Sequence, residues 1–477
     1  MTIEIRVVGE VPADADARCF PVSPSAVHEL PEAGFLDRGG FTAEPGQIHV
    51  LPPAAHGEPV RVLFGDGSAD ARTVAAGVAR ATRRYERVAM PSSSAAVGAI
   101  AEGFLLGAYT FGVYRSDQKA RTERLDIVVA EPDGSEKSAV DRAVHIARSV
   151  MLARDLGNEP GGTLTPTVLA ERAVAVAEAS GLACEVWDRE RIAAEGLGGL
   201  LGVNRGSAQE PRLVRLEYAP ADPVATVALV GKGVTFDSGG LTIKPINYMW
   251  DMKLDMSGAG AVLSTMSVLR ALDCPVKVVG WMPLTDNMSG GDAMRLGDIL
   301  RTRNGKTVEI INADAEGRLL LADGLALAAE ESPDYIVDIA TLTEALSQAA
   351  GRRVAGLFAN DDAWQERVLA AAERAGEKVW PMPRDGIDKR RLDSKIADLI
   401  NTPHYRFGQS ALAAIFLREF VPDGIAWAHL DIAGPAYAED DEGVWVAGAT
   451  GFGVRTLIEL LTSLGATGVA APNEDRD

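Results

Sequence analysis

The stretch Ala225 to Met256, ATVALVGKGVTFDSGGLTIKPINYMWDMKLDM, constrains this chain more than any other. It opens with Ala225–Val230, a short apolar run rich in β-branched residues that reads as a buried parallel strand. The run ends in Gly231-Lys232-Gly233, and Asp237, Lys244 and Asp255 follow at intervals of five, seven and eleven residues. A second motif, NADAEGRL over Asn312 to Leu319, adds Asp314, Glu316 and Arg318. Together these are four carboxylates and three cations on short, Gly-rich connections beside strands. Carboxylates are hard oxygen donors suited to divalent metals, and a cluster of them needs a strong counter-charge to exist. Two divalent cations would neutralise four carboxylates in full. The pattern points to two-metal hydrolytic chemistry.

Composition narrows what surrounds that centre. At 477 residues the prior favours two or more domains, and 47% hydrophobic residues supply sizeable cores. No apolar run of the length that crosses a bilayer occurs. The start, MTIEIRVVGEVPADADARCF, has no basic segment followed by an apolar one, so no secretory signal is expected. Cys19, Cys184 and Cys274 are scattered and odd in number, which gives neither a disulfide framework nor a CxxC zinc site and suits a reducing cytosol. The formal net charge of −20 opposes attachment to nucleic acid or to an anionic membrane surface.

Taken in order, residues 1 to 134 alternate strand-like and helix-like patterns and form a small α/β domain without a catalytic constellation. Val60–Phe64, Arg87–Met90 and Leu125–Ala130 are its strand candidates, and Ala69–Arg84 and Ala95–Tyr109 its helices. Ser92-Ser93-Ser94 reads as a cap for the second helix. Residues 135 to 160 are a long amphipathic linker helix, with Val140, Ala143, Val144, Ala147 and Val150 at helical spacing and a Gly- and Pro-containing stop at Gly157–Gly162. Residues 161 to 464 continue the alternation, which predicts a mainly parallel sheet flanked by helices, and residues 465 to 477 read as a frayed tail. Later strands are expected at Ala183–Trp187, Val276–Trp281, Thr307–Ile311, Tyr335–Ile339 and Ala426–Leu430.

VGKGVTFDSGGLTIKP and NADAEGRL resemble the signature of the leucyl aminopeptidases, dinuclear-zinc cytosolic exopeptidases. The likeness extends through ARDLGNEPGGTLTP, LGVNRGSAQEPRLVRLEY, RTRNGKTVEI, DIATLT, WAHLDIAG and GATGFGVRTL, covering the last two-thirds of the chain. The resemblance implies a metal-dependent aminopeptidase that releases amino-terminal residues from peptides, an amino-terminal domain joined by a helix to the catalytic one, and a cytoplasmic homohexamer. Lys232, Asp237, Asp255 and Glu316 would hold the tighter metal. Asp237, Asp314 and Glu316, with the Asp314 carbonyl, would hold the exchangeable one. Zn²⁺ and Mn²⁺ are the cofactors it implies, with Co²⁺ a further possibility at the oxygen-rich exchangeable site.

Lys232 is an unusual ligand, because its amine must first lose a proton. Bringing an ordinary lysine from about 10.4 to neutrality near pH 7 costs roughly 4–5 kcal/mol, which a bound dication can offset. Its competing role is an ion pair with these carboxylates. Lys244 would stabilise the developing gem-diolate, and Arg318 would hold a bicarbonate that shuttles protons to the leaving amine. Met252, Thr341 and Leu342 would line the pocket for the first side chain, beside Lys244, Asp255 and Asp314. That pocket favours Leu-like residues broadly, since a methylene discriminates by only about 1–3 kcal/mol. His429, within WAHLDIAG, reads as a packed core residue.

Three positions depart from the family pattern: Ala313 replaces the usual Thr, Leu296 replaces the Pro after Arg295, and Glu344 replaces the Gly after ATLT. Glu344 is expected to narrow the pocket or to favour basic first residues. The rival reading is a catalytically weakened relative serving as an assembly or DNA-site accessory protein; the retained charged residues and the net charge of −20 weigh against it. Gly196-Leu197-Gly198-Gly199 and GKG lack the context of a phosphate loop.

Overall fold

The computed structural model describes residues 3–67, 70–116, 121–383, 386–405 and 407–465. Two compact units emerge, Met1–Met151 with Ala438–Ala447, and Leu152–Tyr437 with the remainder of the chain. The division falls inside the helix Glu136–Asn158, between Met151 and Leu152. The expected tail beyond residue 465 lies outside the described residues.

In the first unit, β1 (Glu4–Val8), β2 (Ala17–Val22), β3 (Ile48–Leu51), β4 (Val60–Gly65), β5 (Arg87–Pro91) and β6 (Arg124–Val128) form a sheet in the order β1-β6-β5-β2-β4-β3. Every pairing is parallel except β3 with β4. The helices Ala71–Ala81 and Val97–Ala108 pack on each other. Asp70 caps the first, its side chain accepting from the Thr73 N–H at 3.2 Å. The serine cap expected for the second is not made: the helix begins at Val97, Ala96 stands at its N-cap, and Ser93 makes no capping bond. Ser94 instead hydrogen-bonds the Glu136 carboxylate. A hydroxyl near a helix start caps only if it stands one residue before the first helical turn, and here a short 3₁₀ turn intervenes.

The second unit is built on a nine-stranded sheet. Its strands begin with β7 (Ala183–Trp187), β8 (Arg212–Tyr218), β9 (Thr226–Gly231), β10 (Gly233–Asp237) and β11 (Lys277–Asn287). After β12 (Ile299–Arg301) and β13 (Thr307–Glu309), which pair apart from it with β17 (Leu399–Ile400), come β14 (Tyr335–Ala340), β15 (Ala355–Ala359), β16 (Val379–Pro381) and β18 (Ala426–Asp431). The order is β16-β15-β18-β14-β9-β11-β8-β7, with β10 continuing beside β11. The centre, β18-β14-β9-β11, is parallel, while β8 pairs antiparallel with β11 and β7, and β15 pairs antiparallel with β18.

The central strands are apolar at almost every position because both faces are covered. All six residues of β14 and five of six in β9 and β18 are buried. The helices Ser257–Met266 and Gly317–Glu330 pack on β9, β11 and β14. Small residues set the first helix close: a Cβ on Gly258 would stand 2.1 Å from the Ile339 carbonyl. Gly198 and Gly199 belong to a packing helix, Gly198–Asn204, whose backbone approaches the carbonyls of Arg301 and Leu319. Their glycines are explained by contact.

Candidate metal centre and active site

Residues of both motifs meet at the carboxyl ends of the central parallel strands, where open α/β sheets hold their ligands. β9 ends at Gly231, so Lys232 leaves the sheet as the chain turns into β10, and Asp237 closes β10. Asp255 follows a 3₁₀ turn and precedes the helix Ser257–Met266. Glu316 is the N-cap residue of the helix Gly317–Glu330, where a carboxylate also suits the positive end of the helix dipole. Gly317 is required by proximity: a Cβ there would lie 2.5 Å from Lys232 Cε and 2.7 Å from its Nζ.

Lys232 Nζ stands 2.8 Å from Asp255 Oδ1 and 2.8 Å from Glu316 Oε1, and donates to the Thr341 carbonyl at 2.9 Å. Lys244 Nζ lies 2.9 Å from Asp237 Oδ2 and 2.5 Å from Asp314 Oδ1. Asp237 Oδ1 accepts from the Gly239 N–H and from Asn287 Nδ2. Thr341 Oγ1 donates to Asp255 Oδ1 at 2.7 Å. Lys232, Asp237, Asp255 and Glu316 are each at most 4% exposed. Asp314 is less enclosed, with 28% of its side chain accessible.

Four carboxylates against two ammonium groups leave an excess of negative charge in a buried place. Burial, then the charge of Glu316, pushes the Asp237 carboxyl up. Burial also pushes Asp255 well above the usual range and, with Asp237 and Glu316, raises Asp314 to about 7. At Glu316 burial opposes ionisation, but Lys232 and Lys244 outweigh it and hold the carboxyl low. Burial would lower both lysines, yet the carboxylates around them raise them. Such a set is short of positive charge, and a dication held by these residues would supply it.

The donors themselves fit a metal. Asp237, Asp255 and Glu316 each bring an oxygen within 4.8 Å of the others. Asp255 Oδ2 is buried without a hydrogen-bond partner among the described residues, a costly state for a carboxylate oxygen unless it ligates something. The same residues edge a cavity of about 270 Å³, whose walls include Lys244, Met252, Thr341, Leu342 and Glu344.

A family model described as the cytosol aminopeptidase family, catalytic domain, matches residues 151–458. The chain belongs to that family. A probable cytosol aminopeptidase of Streptomyces avermitilis is 43% identical over 464 residues, 91% of this chain and 90% of the relative. One from Rhodococcus erythropolis is 40% identical over 486 residues, covering 98% and 95%. Among solved structures, the bottromycin maturation enzyme BotP in complex with Mn is 41% identical with a TM-score of 0.85, over 94% of this chain and 99% of that one. A tomato leucine aminopeptidase mutant superposes with a TM-score of 0.87 at 30% identity, over 97% and 96%. As a member of the cytosol aminopeptidase family the protein is a leucyl aminopeptidase-type hydrolase.

The remaining sequence candidates do not wall this cavity. Arg318 is 4% exposed, donates from Nη1 to the Asn401 carbonyl at 2.8 Å, and keeps a buried Nε without a partner among the described residues. Burial lowers its pKa to about 10, which leaves it charged at neutral pH. It is not among the residues that wall the cavity, as far as the described residues go. His429 is fully buried, bonded through Nδ1 to Asp338 at 2.5 Å and stacked against Phe358 and Trp427. Ala313 is buried and its carbonyl accepts from Asn287, while Leu296 is exposed.

Several site residues escaped the sequence reading. Asn287 bridges Asp237 to the Ala313 carbonyl. Asn401 accepts from the Ile311 N–H, donates to the Asn312 carbonyl and presents its own carbonyl to Arg318. Asp251, Tyr248, Arg352 and Tyr437 also wall the cavity. Asn287 closes β11 beyond the strand expected at Val276–Trp281, and nothing in one sequence marks an amide that will reach across to another loop.

Proposed function

We propose that this protein is a cytoplasmic metal-dependent aminopeptidase that removes amino-terminal residues, Leu-like ones by broad preference, from peptides. The observation that carries the reading is the convergence of Asp237, Asp255 and Glu316 on one another, with Lys232 paired to the last two and a buried Asp255 oxygen left over. Lys232, Asp237, Asp255 and Glu316 would hold the tighter cation, and Asp237, Glu316 and Asp314, through its carboxylate and carbonyl, the exchangeable one. Zn²⁺ and Mn²⁺ both suit this oxygen-rich set; the related BotP structure is a Mn complex. When bound, such cations polarise a peptide carbonyl, activate water and take a free α-amine.

The chain's own groups do the rest. The Lys232 ammonium is ion-paired with Asp255 and Glu316 and donates to the Thr341 carbonyl. To serve as a ligand it must give up one proton, and the Thr341 carbonyl keeps the amine in place when it does. Lys244, ion-paired with Asp237 and Asp314 on the cavity wall, would present its ammonium to the oxyanion that develops on the substrate carbonyl. Arg318, held by Asn401, has the unpartnered Nε–H needed for a second anion, and bicarbonate is the one we assign to it. Met252, Thr341 and Leu342 offer the first side chain a mostly apolar wall, which Glu344 makes partly acidic. We further propose a homohexameric assembly, as the leucyl aminopeptidase resemblance implies. Nucleic-acid binding is opposed by the net charge of −20.

The test is hydrolysis of leucinamide and leucyl peptides by protein stripped with a chelator and then reloaded with Mn²⁺ or Zn²⁺. Turnover should vanish on stripping and return on reloading, with only the amino-terminal bond cut. Turnover indifferent to the chelator would sink the proposal.

A further inference from the structure

Behind the pocket wall lies the buried carboxylate of Asp431. Asp431 closes β18, directly beside the end of β14, where Ala340 is its register partner. It is 1% exposed. Asp431 Oδ1 accepts from the backbone N–H groups of Leu342 at 3.2 Å, Thr343 at 3.4 Å and Ala433 at 3.2 Å. Its Oδ2 accepts from Thr343 Oγ1 at 2.5 Å, and that hydroxyl is in turn 2.7 Å from Ser410 Oγ. One carboxylate therefore gathers four donors, three of them from or beside the segment that leaves β14.

That segment is the one the site leans on. Thr341 gives its carbonyl to Lys232 and its hydroxyl to Asp255. Leu342 and Glu344 wall the cavity, and Thr343 is the N-cap residue of the helix Glu344–Ala350 although its hydroxyl does not cap. The Thr343 hydroxyl is turned instead onto Asp431 and Ser410. A residue that could hold its own helix end thus serves as an anchor. A loop leaving a strand is free to shift by an ångström unless something at its base fixes it, and such shifts are enough to spoil a pocket.

We propose that Asp431 is a positioning residue, which through Thr343 fixes the 341–343 turn and so sets how closely the pocket fits the first side chain of the substrate. This rests on the aminopeptidase reading, and it concerns discrimination between substrates. Asp431→Asn keeps an oxygen for the backbone N–H groups but removes the anion that the Thr343 hydroxyl meets. Thr343→Val removes that hydroxyl at nearly constant shape. Both variants should fit leucine less well, while glycine, which has no side chain to fit, should lose much less.

The experiment measures two ratios on Mn²⁺-loaded protein: kcat/KM for leucinamide over glycinamide, and calorimetric affinity for free leucine over glycine. In Asp431→Asn and Thr343→Val both ratios should fall about tenfold, and Thr343→Ser, which restores a hydroxyl, should recover most of the wild-type ratios. Ratios unchanged while both substrates lose activity together would show mere structural support and overturn the proposal. So would a wild type that binds leucine no better than glycine. The affinity ratio needs no hydrolysis: a wild type that selects leucine without cleaving leucinamide would refute the aminopeptidase reading, and the variants would still decide the role of Asp431.

Discussion

At the scale of single residues, the site is a problem in placing charge. Lys244 carries the clearest consequence. Its two ion pairs, to Asp237 and Asp314, hold the ammonium over the carboxylates at the edge of the cavity, where the proposed mechanism needs it. Lys244→Ala should reduce kcat/KM for leucinamide by about 100-fold, mostly in kcat, because a fixed donor to a developing oxyanion acts in the transition state. Steady-state kinetics checks it. Glu344 bears on preference. Its carboxylate accepts from Gln348 and lies on the cavity wall, in a place shared with Asp251 and Arg352. Removing it with Glu344→Gly should lower the turnover of argininamide relative to leucinamide several-fold, and an unchanged ratio would dismiss the idea. That Lys244 would stand among carboxylates was legible because acids and lysines crowd two short motifs, and Glu344 stood out only as a departure from the Gly of the family pattern. Asn287, Asn401 and Asp431 were not legible, since an amide or acid at a strand end says nothing about which distant loop it will hold.

At the scale of elements, close approach decides more than propensity. The helix Gly317–Glu330 starts where Lys232 crosses its first turn, so Gly317→Ala should push the amine off Asp255 and Glu316. Calorimetric affinity for Mn²⁺ should drop at least about tenfold with little change in far-ultraviolet circular dichroism, because alanine itself favours helix. Farther along the same helix, buried Asp323 accepts from the Leu200 N–H at 2.9 Å and the Arg303 N–H at 2.8 Å. Burial raises its pKa to about 7 from 3.8. A carboxyl raised in the folded state contributes its stability in full below about pH 4 and loses it as pH climbs through about 7. Wild-type protein should therefore lose thermal midpoint faster between pH 4 and 7 than Asp323→Asn does. The strands of the central sheet were readable as short apolar runs, and β9, β14 and β18 lie where those runs stand. The serine cap failed because three hydroxyls in a row give no register, and only the packed structure chose Ala96 as the residue before the helix.

At the scale of the whole molecule, the second unit resembles a scaffold strung around an unbalanced charge. Divalent metal that binds the folded state alone must stabilise it, by about 2.7 kcal/mol at a hundredfold excess over the dissociation constant. The thermal midpoint of stripped protein should rise on adding Mn²⁺ and should not rise in Asp255→Asn; differential scanning calorimetry reads both. No helix among the described residues is long and apolar enough to cross a membrane.

The two motifs, the segments that extend their likeness and the alternation of elements along the linear chain were enough to indicate a hydrolase, the mixed α/β architecture and the family, because charged residues on Gly-rich turns and buried parallel strands both leave local marks. Tertiary structure alone decided which carboxylate oxygens are left without a hydrogen-bond partner, Asp255 Oδ2 among them, which side chains wall the cavity, and that Asp431 holds the turn beside it. Those are relations between residues dozens to hundreds of positions apart. Their energies depend on burial and distance, and neither exists until the chain has folded.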